Sequence, residues 1–114
     1  NQEGIYQHYK ALDAATPLPI IMYNVPGRTG MSVSAETTLR IARECPNIFA
    51  TKEASGNFDL INQILKNKPS DFMVISGDDP ITLQMISAGA EGVISVVANA
   101  YPEFSEMVRL ALNG

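Results

Sequence analysis

One lysine lies inside an otherwise apolar stretch of this 114-residue sequence, at position 52 within the segment Phe49–Asn57. Burial among apolar residues disfavours the ammonium form of a lysine and so favours the neutral, nucleophilic amine, which is the form that attacks a ketone. Alternatively, Lys52 lies at a strand edge, where its stem packs and its ammonium reaches water. Position alone favours this second interpretation.

A second group of reactive side chains follows another apolar run, in the segment Tyr23–Gly30. Pro26 and two glycines predict a compact turn there, which would bring Tyr23 and Arg28 to the same end of a sheet. A phenol can relay protons, and a guanidinium can hold a carboxylate through two parallel hydrogen bonds. A tyrosine at the core boundary and a solvated arginine explain the pattern equally well.

Two further segments end apolar runs with acidic or small residues. In Ser76–Pro80, the adjacent carboxylates of Asp78 and Asp79 could bind a metal or an amine. An aspartate before a proline is better explained as a helix N-cap, which we assign to Asp79, and the role of Asp78 stays open. The segment Gly92–Asn99 would let a backbone carbonyl approach a ligand, although core packing explains its composition more simply.

Composition argues against several classes of function. The one histidine, His8, is expected at the surface, away from every strand end, and with one cysteine, Cys45, neither a metal cluster nor an internal disulfide is predicted. No glycine-rich nucleotide-binding motif is present. The formal net charge is −4 without runs of like charge, and no apolar stretch could span a bilayer. We expect a cytoplasmic protein that acts on a small molecule, with no nucleic-acid or membrane partner and no metal or nucleotide.

Apolar runs alternate with helical patterns along the chain, which is typical of βα units on a parallel sheet. Four strands are predicted: Pro19–Val25, Ile48–Glu53, Phe72–Ser76 and Gly92–Val97. Their nearly continuous apolar content predicts strands that are covered on both faces. Functional residues in α/β folds lie beyond the carboxyl ends of strands, and the four reactive segments fall there.

Helical patterns flank these strands. Ser34 is a candidate N-cap for the helix after the first strand, Gly89 is a candidate helix stop, and the last helix is predicted to begin near Pro102. The order is one helix followed by four βα units. This order fits either a small open sheet or half of an eight-stranded barrel, since a complete barrel takes roughly 250 residues.

The four reactive segments together resemble the dihydrodipicolinate synthase family of pyruvate-dependent class I aldolases. The resemblance covers essentially the full chain and rests on the order and spacing of Tyr23–Gly30, Lys52–Asn57, Ser76–Asp79 and Gly92–Val96. It implies that Lys52 forms an imine with pyruvate, that Tyr23 transfers protons and that Arg28 binds the carboxylate of aspartate semialdehyde. It also assigns two residues to substrate binding, Ile94 through its backbone and Gly77 in the third segment.

The same resemblance implies a fold and a reaction. The fold is a (β/α)8 TIM barrel, of which residues 1–114 would form strands five to eight with their helices. The reaction condenses pyruvate with aspartate semialdehyde to 4-hydroxy-tetrahydrodipicolinate, in lysine and diaminopimelate biosynthesis, through a covalent imine and without a cofactor. We expect the first half of the barrel and a C-terminal helical domain to lie outside this chain, the isolated chain to be inactive, and the intact protein to be a homo-oligomer, which is a tetramer in the family.

Two alternatives stay open. A sister aldolase, such as N-acetylneuraminate lyase, would use the same lysine and tyrosine, but those relatives generally lack the arginine of the Gly27–Gly30 loop and the Glu53–Asn57 sequence. A non-catalytic α/β module would keep these residues without turnover.

Overall fold

Every strand of the sheet is parallel to its neighbours, and the spatial order of the strands is their order in the chain. The sheet comprises β1 (Ile20–Asn24), β2 (Ile48–Glu53), β3 (Met73–Ser76) and β4 (Gly92–Val93), in a computed structural model that describes residues 1–114. Helices connect the successive strands, since parallel neighbours need a crossover. The predicted α/β architecture is confirmed, and the four-stranded parallel sheet is consistent with half of a barrel.

Six helices accompany the sheet: α1 (Gln2–Ala15), α2 (Pro26–Thr29), α3 (Ala35–Glu44), α4 (Phe58–Asn67), α5 (Thr82–Ser87) and α6 (Glu103–Asn113), with 3₁₀ turns at Asp79–Ile81 and Val97–Asn99. Ser34 caps α3 as predicted, because its Oγ accepts a hydrogen bond from the backbone N–H of Thr37 at 3.1 Å. Gly89 follows the end of α5 with φ of 112°, a backbone conformation that favours glycine. No helix combines the length and the apolar content needed to cross a membrane.

The fourth strand contains two residues rather than the six predicted. Ile94 still donates its backbone N–H to the carbonyl of Ser76 at 2.9 Å. The carboxylate of Asp79 then accepts the N–H groups of Val96 and Val97, both at 3.0 Å, and turns the chain out of the sheet. The predicted role of Asp79 as a helix N-cap is wrong. Its side chain makes no capping hydrogen bond to the 3₁₀ turn Asp79–Ile81 or to α5, and holds the loop after β4 instead.

The hydrophobic core lies on one face of the sheet. Met22 of β1 and Val74 of β3 are fully buried there, in two clusters that include residues of α1, α3, α4 and α5. On the opposite face, Ile21 and Tyr23 of β1 remain 38% and 43% exposed. The prediction that the strands are covered on both faces is therefore wrong for this chain, because the helices of both clusters pack against one face.

Candidate active site

Two of the sequence-predicted residues meet on the open face of the sheet, at the carboxyl ends of neighbouring strands. Tyr23 of β1 and Lys52 of β2 are register partners, and Lys52 is paired in turn with Ile75 of β3. The Nζ atom of Lys52 lies 4.1 Å from the centroid of the Tyr23 ring. The structure therefore places an amine and a phenol side by side on the open face of the sheet.

The contact between Lys52 and Tyr23 has a clear electrostatic consequence. The negative face of an aromatic ring attracts an ammonium group, whereas attack on a carbonyl requires a neutral amine, so a proton transfer precedes the attack. A phenol both donates and accepts hydrogen bonds and can take part in that transfer. Lys52 itself is only partly buried. Its environment is therefore intermediate between the two that the sequence allowed, a lysine buried among apolar residues and a lysine whose amine reaches water.

Gly77, directly after β3, leaves the space that the side chain of Lys52 occupies. A Cβ atom at position 77 would lie 2.8 Å from Cε and 3.0 Å from Cγ of Lys52, and 3.0 Å from Cβ of Ala54. The backbone N–H of Gly77 donates to the carbonyl of Glu53 at 2.9 Å, which fixes the main chain at this point. Glycine is needed here for a close approach, and the predicted contact of Gly77 with substrate stays a prediction.

Arg28 and Ile94 also lie beyond the carboxyl ends of their strands, but no hydrogen bond joins either of them to Lys52. Arg28 belongs to α2, the single turn after β1, and its exposed guanidinium takes part in none of the ion pairs of the chain. Ile94 follows β4 and is 45% exposed. Their positions fit a site at this edge of the sheet, and their roles stay predictions.

Two cavities lie beside the sheet, and Lys52 lines neither of them. A cavity of about 330 Å³ between α1 and the end of β1 is lined in part by His8, Tyr23 and Asn24. Another, of about 210 Å³, includes Cys45 among its lining residues. His8 is exposed as predicted, but it does not lie away from every strand end, because it shares a cavity with Tyr23.

A buried polar pair, to which the sequence assigned no role, lies behind the lysine and tyrosine. Asn24 and Glu53 are register partners and are 1% and 0% exposed. Burial raises the pKa of the Glu53 carboxyl, although hydrogen bonds from Ser55 and Asn24 oppose that rise. The sequence contains one indication of this pair: a polar residue directly follows both Tyr23 and Lys52, in strands that are otherwise mostly apolar.

An acidic residue, Asp79, lies close enough to Lys52 for their charges to interact. Partial burial acts to raise the pKa of Asp79, but Ser95, the backbone N–H groups of Val97 and Val96, and the charge of Lys52 together hold it below its ordinary value. Residues 1–114 contain no group of three His, Cys, Asp or Glu side chains arranged to hold a metal ion.

Comparison with known proteins finds close relatives of this chain. A family model described as the dihydrodipicolinate synthetase family matches residues 1–114. The 4-hydroxy-tetrahydrodipicolinate synthase of Parabacteroides distasonis is 65% identical over 115 residues and covers 100% of this chain. The chain, in contrast, spans 39% of the length of that relative.

Solved structures share the fold. A chloride-inhibited dihydrodipicolinate synthase of Acinetobacter baumannii, complexed with pyruvate, is 43% identical with a TM-score of 0.93, over 99% of this chain and 39% of its own. A protein characterised as a monomeric dihydrodipicolinate synthase variant is 44% identical with a TM-score of 0.94, over 100% of this chain and 39% of its own. The fold of residues 1–114 is therefore that of part of a TIM-barrel enzyme.

Proposed function

This chain belongs to the dihydrodipicolinate synthetase family, and we propose that it carries the imine-forming part of an aldolase active site. The proposed enzyme condenses pyruvate with aspartate semialdehyde to 4-hydroxy-tetrahydrodipicolinate, a step of lysine biosynthesis. The observation that carries this proposal is the 4.1 Å separation between Nζ of Lys52 and the ring centroid of Tyr23. This contact joins a nucleophilic amine to a group that can relay protons. The relative that was solved with pyruvate supports the choice of keto acid.

Each proposed residue has a defined part in the reaction. The neutral amine of Lys52 attacks the keto carbon of pyruvate, and loss of water leaves an imine. The imine draws electrons from the methyl group, which loses a proton to give an enamine. The enamine carbon attacks the aldehyde carbon of the second substrate, whose oxygen takes up a proton to become the hydroxyl. The amino group of the second substrate then attacks the imine carbon and displaces the amine of Lys52, which closes the ring of the product. The Tyr23 hydroxyl passes protons during these steps. Arg28 holds the carboxylate of aspartate semialdehyde through paired, charge-assisted hydrogen bonds, while Ile94 and Gly77 border the bound keto acid.

We also propose that strands of the first half of the barrel, outside residues 1–114, close the open face of the sheet, and that the complete protein also has a C-terminal helical domain. The exposed side chains of Ile21 and Tyr23 and the unpaired edge of β1 are what such strands would cover. The share of the relatives that this chain spans, 39%, supports the proposal. Closure would exclude water from Lys52, so the 114-residue chain alone is expected to be inactive.

The assembly and location of the complete protein stay predictions. A homo-oligomer in the cytoplasm is proposed, although one relative is characterised as monomeric. Light scattering on the purified complete protein would measure its mass in solution, and a monomer would contradict the predicted oligomer.

Trapping of the imine tests the proposed function. Pyruvate followed by borohydride should label Lys52 in the complete protein, and peptide mass mapping would locate the adduct. Lys52→Arg should abolish labelling, whereas the matched control Lys66→Arg, on the exposed surface of α4, should label normally. A pyruvate adduct on Lys66 or Lys68, or no adduct at all, would remove Lys52 from the catalytic role.

The isolated chain provides a second arm of this test. The 114-residue chain should label slowly or not at all, because imine formation needs a keto acid that is held in place beside the amine. Rapid and specific labelling of Lys52 in the chain alone would show that four strands suffice for the first chemical step.

A further inference from the structure

We propose that Asn24 and Glu53 form a positioning pair that sets the geometry of Tyr23 and Lys52. The inference rests on the proposed function and adds two residues to it. Each member of the pair directly follows one of the proposed catalytic residues, and neighbouring residues of a strand point to opposite faces. The register pairs Asn24 with Glu53 just as it pairs Tyr23 with Lys52.

The amide of Asn24 links three parts of the chain. Its Nδ2 donates to both carboxylate oxygens of Glu53, at 2.9 and 3.1 Å. Its Oδ1 accepts the backbone N–H of Val33 at 3.0 Å, in the loop after the turn that carries Arg28. The carboxylate of Glu53 also accepts the backbone N–H of Ser55 at 3.1 Å, in the loop after β2. One buried side chain thus ties the end of β1 to β2 and to the loop behind Arg28.

Hydrophobic packing alone would not require this pair. A buried carboxylate is costly to desolvate, and apolar side chains fill buried space at lower cost. Glu53 takes part in no ion pair. Burial raises its pKa, and the groups that oppose this rise, Ser55 and Asn24, are both uncharged. Directional hydrogen bonds, unlike apolar contacts, fix the rotation of each strand about its own axis. Because Tyr23 and Lys52 lie on the opposite face of the same strands, this rotation sets their orientation.

Two variants of the complete protein test the pair: one removes the hydrogen-bond donor, and the other restores the hydrogen bond with its direction reversed. N24D sets two carboxyls against each other without a donor, so the kcat for condensation should fall at least about tenfold at neutral pH, since small misplacements of reacting groups are costly. Borohydride trapping of pyruvate per folded molecule should fall less, because it needs the amine of Lys52 and not its full alignment with Tyr23. The double variant N24D/E53Q supplies a donor at 53 and an acceptor at 24, and should recover most of the lost rate.

The pH dependence of kcat distinguishes a positioning role of the pair from a merely structural one. In N24D, a single proton shared between the two carboxyls would replace the missing donor, so the ratio of its kcat to that of the unaltered protein should rise as the pH falls. The double variant should show no such gain, since its pair already has a donor. Gln63→Glu adds one negative charge at an exposed position of α4 and serves as the charge control, with kcat and pH profile unchanged.

The possible outcomes separate the inference from the proposed function. Suppose that the unaltered protein condenses its substrates, and that N24D loses trapping and condensation equally, in proportion to its folded fraction measured by circular dichroism. The pair is then a packing feature, and the inference fails while the proposed function stands. A double variant that recovers nothing overturns the inference in the same way. If the unaltered protein catalyses no condensation, the proposed function fails and takes the inference with it.

Discussion

The Nζ atom of Lys52 on β2 lies 4.1 Å from the centroid of the Tyr23 ring on β1. The two residues are far apart in the chain, and the register of the parallel strands brings them together. Their contact lies on the face opposite the hydrophobic core, where Tyr23 is 43% exposed. Changes at this contact should therefore affect chemistry more than stability.

Tyr23→Phe removes the hydroxyl and keeps the ring beside Lys52. The kcat for condensation in the complete protein should fall by about 10²- to 10⁴-fold, the usual contribution of a general acid or base. The free energy of unfolding should change by no more than about 1.5 kcal/mol, because only the hydroxyl is lost and one hydrogen bond contributes at most about that much. Steady-state kinetics and thermal unfolding would measure the two effects. An unchanged kcat would exclude the hydroxyl as the proton relay.

Arg28→Ala should impair use of aspartate semialdehyde far more than imine formation with pyruvate. Loss of a hydrogen-bonded charged contact costs roughly 1.5–3 kcal/mol, so kcat/KM for the aldehyde should fall about 10- to 100-fold. Arg28→Lys is the matched variant, because it keeps the charge and loses the bidentate geometry. Equal damage to borohydride trapping of pyruvate would assign Arg28 a different role.

Gly77→Ala should displace the side chain of Lys52, because the added Cβ would lie 2.8 Å from its Cε. Overpacking of this kind costs about 1–3 kcal/mol when the neighbours cannot move, and trapping of pyruvate should slow. Gly92→Ala in β4 is the control, since no atom lies within 4 Å of a Cβ built there. Equal trapping rates in the two variants would show that Lys52 accommodates the methyl group freely.

Asp79 should control the loop after β4 in a pH-dependent manner. Its pKa is lowered in the folded protein, so the contribution of its carboxylate to stability is present above the ordinary aspartate pKa of about 3.9. That contribution is lost as the pH falls through the lowered value. The amide proton shifts of Val96 and Val97 in NMR spectra should follow this titration, because both N–H groups donate to Asp79.

Two variants of Asp79 complete the test. Asp79→Asn keeps an oxygen acceptor and should remove the titration of the two amide protons, while Asp79→Ala should also release the loop, at a cost of about 1 kcal/mol. Amide shifts that do not respond to acid in the unaltered protein would contradict a structural role for this carboxylate.

Features that depend on a few neighbouring residues were predictable from the sequence. The bounds of β2, Ile48–Glu53, are the predicted ones, and Ser34 caps α3 through a hydrogen bond that spans three residues. The placement of Lys52 and Tyr23 at strand ends followed in the same way, because apolar runs mark strands and turn residues mark where they stop. Such signals are local, so one segment of sequence contains all the information that they need.

Tertiary structure decided what depends on residues far apart in the chain. Asp79 ends β4 early by binding the N–H groups of Val96 and Val97, a contact that no pattern within Gly92–Asn99 reveals. The pairing of Asn24 with Glu53 depends on the register of two strands, and the one-sided core depends on where the helices pack. The burial of a polar group is favourable only if a distant partner satisfies it, and periodicity within one segment does not show whether that partner is present.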